Sequence, residues 1–77
     1  MNYYETQNIN LAAYLISDGH KLQGTDRGNG KMHFLFENTS DVAEAKDNFF
    51  MDGLVPVNTF ANNLRYLKTI LYQKGEY

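Results

Sequence analysis

Cysteine and tryptophan are absent from this 77-residue sequence, and proline occurs only once. Without cysteine, the chain cannot form disulfide bonds or the usual cysteine-rich zinc site. The absence of cysteine fits a reducing compartment, and we expect a cytoplasmic protein. The sequence also has no basic segment followed by a long apolar stretch, so neither a signal peptide nor a membrane span is expected.

Charged residues are few, with 7 basic and 9 acidic side chains and a net charge of −2. A domain that binds nucleic acid usually carries a basic surface, so the overall charge does not favour that function. Hydrophobic residues make up 43% of the chain and aromatic residues 14%, which supplies a core and argues against disorder. We expect one domain, residues 1–77, that is too small for a deep enclosed active site.

The segment GTDRGNGKMHF has the composition of a phosphate-binding loop, with three glycines and a lysine. A P-loop needs four residues between its glycines and a serine or threonine after its lysine. Here five residues separate Gly24 from Gly30, and Met32 follows Lys31. The dinucleotide-binding pattern fails as well, because His33 stands where its third glycine is required. The segment is therefore predicted to be a turn between two strands.

Residues 20–26 and 31–37 are predicted to form an antiparallel hairpin, because the Asn-Gly pair between them suits a tight reversal. An odd loop or a bulge gives one coherent apolar face, and we favour that register. This face comprises Leu22, Met32, Phe34 and Phe36. Gly24 then lies beside an aromatic residue, whereas a two-residue loop would place Leu22 with Leu35. The opposite face would carry His33, Leu35 and Glu37.

The first and last helices are predicted from their hydrophobic spacing. Residues 9–18 suit a short amphipathic helix, capped by Asn8 and ended by Gly19. The last helix is expected to begin at Asn58 or Thr59. Its core stripe follows a helical period and comprises Phe60, Leu64, Leu67 and Leu71.

A second helix is predicted after the hairpin. Asp41 and Glu44 have the spacing of a capping box ahead of residues 42–52, and Gly53 would close the helix. The expected inner side comprises Val42, Ala45 and Phe49. The expected outer side comprises Asp41, Glu44 and Asp47. The following segment LVPV, residues 54–57, is too apolar for a free loop, and its proline limits it to a short edge or extended segment.

These elements predict a small α+β single domain in the order α-β-β-α-(short β)-α, with an antiparallel hairpin packed by helices. Residues 1–8 precede the first helix and are expected to form an extended or loosely ordered N-terminal segment.

Four motifs carry a resemblance to a known family: LAAYL at 11–15, GHKLQG at 19–24, FLFEN at 34–38 and LRYLK at 64–68. The chain resembles a family of short proteins of unknown function that are encoded by bacteriophages and other bacterial mobile elements. The resemblance implies a setting, the cytoplasm of a bacterial host cell. It implies no activity and brings no catalytic residues.

Catalysis is not indicated by the residues either, and we expect no enzyme, no cofactor and no metal site. His20 and His33 are the only histidines. Candidate partners for a triad-like arrangement are Asp18, Asp26, Ser17 and Thr25. The simpler interpretation places His20 on the surface at the end of the first helix and His33 on the outer face of the sheet.

We therefore predict a small non-enzymatic protein that binds a macromolecule, most simply a protein of the host, and that acts as an inhibitor. Tyrosine supplies a large contact area with few rotatable bonds, so the tyrosines are candidate anchors. They are Tyr3, Tyr4, Tyr66, Tyr72 and Tyr77. The acidic residues of the second helix, Asp41, Glu44 and Asp47, are a further candidate surface, as a mimic of nucleic acid. A homo-oligomer is also compatible with the sequence.

Nucleic acid is the alternative partner. From Leu54 to Lys74 the chain has basic residues and no acidic one, so the last helix has a basic character. Residues three apart share a helix face, which places Arg65 and Lys68 together. The candidate contacts are Arg27, Lys31, Asn62, Arg65 and Lys68.

Overall fold

The computed structural model describes residues 2–73 and contains three helices and three strands, which confirms the α+β class. In chain order these are β1 (Tyr3–Thr6), α1 (Ile9–Ser17), β2 (Leu22–Asp26), β3 (His33–Glu37), α2 (Ser40–Phe50) and α3 (Val57–Gln73). The observed order, β-α-β-β-α-α, differs from the expected one at two places: a strand precedes α1, and no strand lies between α2 and α3.

The three strands form one antiparallel sheet in the order β1-β3-β2, so β3 is the central strand. The N-terminal segment, expected only to be extended or loosely ordered, is an edge strand that pairs Tyr4 with Phe36 and Thr6 with Phe34. Four residues are too few for their alternation to identify a strand, and the partner of β1 is the side of β3 that does not pair with β2.

The hairpin of β2 and β3 has the expected apolar face. Leu22 lies opposite Phe36, and a bulge between Leu22 and Gly24 sets the register. The residues that follow the turn on this face, Met32, Phe34 and Phe36, are buried. One detail of the expectation is wrong, because Gly24 lies opposite Leu35 and not beside an aromatic ring. The bulge shifts the strand by one residue, which turns Gly24 to the outer face.

Helix α1 begins and ends as predicted. The Asn8 Oδ1 atom accepts hydrogen bonds from the N–H groups of Asn10 and Leu11, at 3.0 and 3.1 Å. At the other end Gly19 has a φ of +101°. Its N–H donates to the Ile16 carbonyl, in the arrangement of a left-handed helix terminus. Inside the helix, all five residues from Leu11 to Leu15 are buried.

Helix α2 begins earlier than expected. Its N-cap is Thr39, whose Oγ1 accepts a hydrogen bond of 3.2 Å from the Val42 N–H. The capping box predicted at Asp41 and Glu44 is therefore wrong, because Asp41 already lies in the first helical turn. The inner side is as predicted: Val42, Ala45 and Phe49 face the core. The predicted outer residues Asp41, Glu44 and Asp47 are exposed.

The end of α2 also differs from the expectation. Asp52, and not Gly53, occupies the left-handed conformation, with a φ of +61°. The Gly53 N–H donates to the Asn48 carbonyl at 2.7 Å, and the Asp52 N–H donates to the Phe49 carbonyl at 3.3 Å. Gly53 is required for another reason: a Cβ at this position would overlap the Tyr14 hydroxyl and would lie 2.8 Å from the Asn48 carbonyl oxygen.

Residues 53–56 connect α2 to α3 without forming a strand. Of the two forms predicted for LVPV, a short edge strand or an extended segment, the strand does not form, and Val57 belongs to α3. The Pro56 carbonyl accepts a hydrogen bond from the Phe60 N–H at 2.9 Å, so the segment is already entering the helix. Helix α3 begins at Val57, slightly before the predicted start. Its predicted core stripe is confirmed: Leu67 is buried, and Phe60, Leu64 and Leu71 pack against the core.

One cluster of buried residues joins the inner face of the sheet to the three helices. Two polar contacts hold α3 in place at its periphery. The Asn63 side chain donates to the Ser17 hydroxyl of α1 at 2.9 Å. The Arg27 guanidinium, from the hairpin loop, donates to the Leu71 carbonyl at 3.1 Å. Helix α3 is therefore joined to α1 and to the hairpin loop by one hydrogen bond each, as well as by apolar packing.

Replacing Gly53 by alanine is expected to destabilise the protein by about 1–3 kcal/mol, because the added methyl group would overlap Tyr14 and the backbone of Asn48. Urea unfolding followed by circular dichroism would measure the change. The control is Gly28→Ala, since a Cβ there meets nothing closer than an Asp26 carboxylate oxygen at 3.9 Å. Equal stability of the two variants would contradict the described path of the chain at Gly53.

A Thr39→Ala variant is expected to lose about 1 kcal/mol of stability, because the Val42 N–H loses its side-chain acceptor. In contrast, Asp41→Ala should cost only about 0.3–0.5 kcal/mol, from the loss of a carboxylate near the positive end of the helix. The same unfolding measurement distinguishes the two starts of α2. A larger loss of stability for Asp41→Ala than for Thr39→Ala would show that α2 begins at Asp41, as predicted from the sequence.

Candidate functional site

The junction between α2 and α3 carries four large apolar side chains that are mostly exposed. Phe50 is 65% exposed, Met51 79%, Leu54 93% and Val57 77%. We call these four residues the apolar corner. Within residues 2–73, the other large hydrophobic side chains with comparable exposure are tyrosines, which have a polar hydroxyl. The corner is therefore the place where purely apolar surface is concentrated.

The path of the chain explains why the corner is exposed. Gly53 lies against Tyr14 of α1 and the last turn of α2, so the chain touches the body of the protein at this point. Side chains then alternate along the connection: Leu54 points into solvent, and Val55 packs against the core. Pro56 leads directly into α3. Val57, the first residue of this helix, lies before Phe60, which packs against the core, and it remains exposed.

An open groove of about 310 Å³ lies within the corner. Aromatic rings from three helices line it, namely Tyr14, Phe49 and Phe60, and Leu54 and Val57 form part of its wall. The rings of Tyr14 and Phe49 are 5.5 Å apart. Phe50, of the corner itself, contacts Phe49 edge to face at 5.0 Å. Phe49 thus connects the exposed ring of Phe50 to the groove.

Acidic side chains continue from the corner along α2. Glu44, Asp47 and Met51 have positions i, i+3 and i+7, which places them along one line of the helix. Both carboxylates are exposed, and we call Glu44 and Asp47 the acidic ridge. Asp52 adds a carboxylate at the wall of the apolar groove.

Asp41, the remaining acidic residue of the predicted surface, lies one turn further from the corner than Glu44. It lines a polar groove of about 290 Å³ that is shared with Asp18, His20 and Glu44. Glu44 therefore lies both beside this groove and on the line of α2 that leads through Asp47 to the corner, whereas Asp41 lies at the end of α1.

Basic side chains continue from the corner along α3. Arg65 and Lys68 follow Val57 by 8 and 11 residues, so all three lie along one side of the helix. We call Arg65 and Lys68 the basic ridge. A groove of about 250 Å³ beside it is lined by Ala61, Leu64, Arg65 and Lys68. The Arg65 guanidinium donates to the Asn62 side chain at 3.1 Å, which orients it on the helix surface.

The other two residues proposed for nucleic-acid binding come from the hairpin. The Arg27 guanidinium reaches α3 and donates to the Leu71 carbonyl, three residues after Lys68. Lys31 is exposed beyond the hairpin turn. The structure therefore brings Asn62 together with the basic ridge and places the Arg27 guanidinium at the C-terminal end of the same helix.

The predicted tyrosine anchors do not form one surface. Tyr3 is exposed on the outer face of the sheet, whereas Tyr4 is half-buried with the Lys46 ammonium 5.9 Å from its ring centre. As expected for neighbours in a strand, one ring points out and the other points in. Tyr66 and Tyr72 are exposed on different sides of α3, because a spacing of six residues separates them around the helix. Tyr77 lies outside the described residues.

The two histidines contact carboxylates. The Nε2 atom of His20 is 3.4 Å from Asp18. The Nδ1 atom of His33 is 3.4 Å from Glu5, and not bonded to Asp26, its neighbour across the sheet. His33 lies on the outer face, as predicted.

The hydroxyl groups considered for a triad-like arrangement are placed elsewhere. The Ser17 hydroxyl donates to the Ala13 carbonyl at 2.7 Å and accepts from Asn63. Thr25 lies opposite Phe34, on the inner face of the sheet. In the part of the chain that the structure describes, no group of three or more histidine and carboxylate side chains is arranged to hold a metal ion.

A family model described as "Domain of unknown function (DUF5659)" matches residues 1–73. The chain belongs to this family. The predicted membership of a family of unknown function is thereby confirmed. No curated protein and no solved structure matches the chain. Among residues 2–73, no helix has the length and apolar character needed to cross a membrane.

The apolar corner was not among the residues singled out from the sequence. A signal was present, because the stretch FFMDGLVPV has one charged residue among seven apolar ones. The sequence predicted a helix for its first part and a short edge or extended segment for LVPV, and neither prediction indicated that these side chains lie together on the surface.

Because Leu54 is almost fully exposed, Leu54→Asp is expected to change the free energy of unfolding by less than about 0.5 kcal/mol. In contrast, Leu67→Ala should cost about 2–5 kcal/mol, since Leu67 is fully buried. Thermal and urea unfolding of both variants would check this. A large loss of stability in Leu54→Asp would show that the corner belongs to the core and not to the surface.

Proposed function

We propose that this chain is a non-enzymatic protein-binding domain and that the apolar corner is its interface. The observation that carries the proposal is the concentration of four exposed apolar side chains beside a groove lined with aromatic rings. Monomeric proteins rarely expose large apolar patches without a use for them, since such a patch costs free energy in water and favours aggregation.

The composition of the corner supports a protein as the partner. Interfaces between proteins have an apolar centre, rich in aromatic residues and methionine, inside a polar rim. Phe50 and Met51 supply such a centre, and Asp52 and the two ridges supply a charged rim. A domain of this size can offer the roughly 800 Å² per partner that a standard interface needs.

We further propose that the partner is a protein of a bacterial host and that the chain is the product of a phage or mobile element. The support is the resemblance of the four sequence motifs, together with small size and acidic charge. In this proposal the chain inhibits the host protein by covering its surface, and a defence protein is a natural target. This action needs no catalysis, because covering the surface of the host protein is enough to inhibit it.

Nucleic acid is a second candidate partner, favoured by the grouping of Asn62 with the basic ridge. A stripe of basic and amide side chains can contact phosphates. The net charge of −2 and the acidic ridge nearby act against it, because both repel a polyanion. Two basic side chains would also give only a shallow salt dependence, which makes this candidate easy to recognise.

Affinity capture from the lysate of a bacterial host, with the tagged full chain and nuclease treatment, tests both candidates. We expect one defined protein to be recovered and Leu54→Asp to lose it, because a carboxylate placed in the apolar centre would have to be buried. The matched control is Gln23→Asp, which adds the same charge at an exposed position on β2.

Two results would contradict the proposal. A captured protein that Leu54→Asp retains as well as the control does would place the interface elsewhere. The second result is the capture of nucleic acid that salt releases and that the double variant Arg65→Glu/Lys68→Glu no longer binds. It would show that the partner is a polyanion and not a protein. Because both sets of residues are exposed, neither variant should impair folding.

A further inference from the structure

We infer that, in the free protein, the apolar corner is covered by a second copy of this chain in a two-fold symmetric dimer. The inference rests on the proposed function in one respect only: it takes the corner to be a protein interface. It names the occupant of that interface when no other partner is present.

The shape of the corner is self-complementary. A two-fold interface uses the same patch on both copies, so the patch must offer a projecting group and a recess to receive it. Leu54 projects, with 93% of its surface exposed. The groove beside it is lined by the rings of Tyr14, Phe49 and Phe60. Leu54 of each copy can therefore enter the groove of the other.

The charges beside the corner are complementary as well. The acidic ridge runs from the corner along α2, and the basic ridge runs from it along α3. At a rise of 1.5 Å per residue, Glu44 lies about 10 Å from Met51, and Arg65 lies about 12 Å from Val57. Asp47, the nearer member of the acidic ridge, lies about 6 Å from Met51, so the acidic ridge begins closer to the corner than the basic ridge does. Glu44 and Arg65 are the members at similar distances from the corner. A two-fold axis through the corner can place α2 of one copy against α3 of the other.

This arrangement selects one orientation of the two copies. With α2 facing α3, each acidic ridge meets a basic ridge, and the pairing occurs twice by symmetry. With α2 facing α2, four carboxylates would oppose each other, and like charges across an interface are unfavourable. The apolar centre provides the attraction, and the ridges determine how the copies are oriented.

The dimer is expected to be weak. Its apolar centre consists of four side chains per copy, which places the contact at the low end of interface sizes, where binding is transient. A weak dimer is compatible with the proposed function, because a host protein that binds the corner more tightly would displace the second copy. Both partners would use the same surface, so they would compete.

Sedimentation equilibrium of the full chain tests the inference. Between about 10 μM and 1 mM the apparent mass should rise from near that of one chain towards twice that value, as expected for a dimer with a dissociation constant on the order of 100 μM. Leu54→Asp should remain monomeric over the whole range, whereas the control Gln23→Asp should dimerise like the parent. Circular dichroism would verify that each variant is folded.

Charge reversal tests the orientation. Arg65→Glu/Lys68→Glu should weaken the dimer by about tenfold or more, and Glu44→Lys/Asp47→Lys should do the same, because each places like charges together. Combining all four substitutions restores opposite charges across the interface and should restore the dimer. High salt should weaken the parent dimer and strengthen the two charge-reversed ones, since screening removes both attraction and repulsion.

The outcomes separate this inference from the proposed function. A parent chain that stays monomeric at 1 mM overturns the inference, and so does a dimer that Leu54→Asp leaves intact. If the variant with all four substitutions does not dimerise, the proposed pairing of α2 with α3 is wrong. A monomer whose capture of a host protein depends on Leu54 would refute the dimer and support the proposed function. A dimer that captures no host protein would support the inference and contradict the proposed function.

Discussion

Five consecutive buried side chains, from Leu11 to Leu15, make α1 the element on which the rest of the structure depends. Successive residues of a helix point 100° apart, so five of them cover its whole circumference. Helix α1 must therefore be contacted from every side, and the sheet, α2 and α3 provide those contacts. Since α2 and α3 both pack on α1, the segment that joins them passes along the edge of the protein. The apolar corner is exposed for that reason.

The features that depend on local sequence could be predicted. Asn8 and Gly19 identified both ends of α1, and the stripe that includes Leu67 identified the inner face of α3. The apolar face of the hairpin was also predictable, because one register buried all of its aromatic residues. Strand β1 was not predicted as a strand, since its pairing with β3 is a contact between distant parts of the chain.

The candidate site could not be predicted, because its exposure is set by tertiary packing. The sequence around Leu54 is as apolar as a buried strand, and only the packed structure shows that Val55 faces the core while Leu54 is exposed. The helical positions of the residues in the two ridges were predictable. That both ridges lead to one corner was not, because it depends on how α2 and α3 pack on α1. The outward-facing residues of α2 and α3 thus become one surface with an apolar centre and opposite charges on its two sides.

The rate at which hydrogen peroxide oxidises Met51 tests most directly whether another protein covers the corner. Exposed methionine oxidises readily and buried methionine does not. Met51 is 79% exposed, and Met32, at 6%, serves as an internal reference within the same molecule. If a protein covers the corner, Met51 should oxidise several-fold more slowly in the nuclease-treated complex captured from a bacterial host than in the dilute free chain, with Met32 slow in both. Equal rates for Met51 in the two samples would show that the corner is not covered.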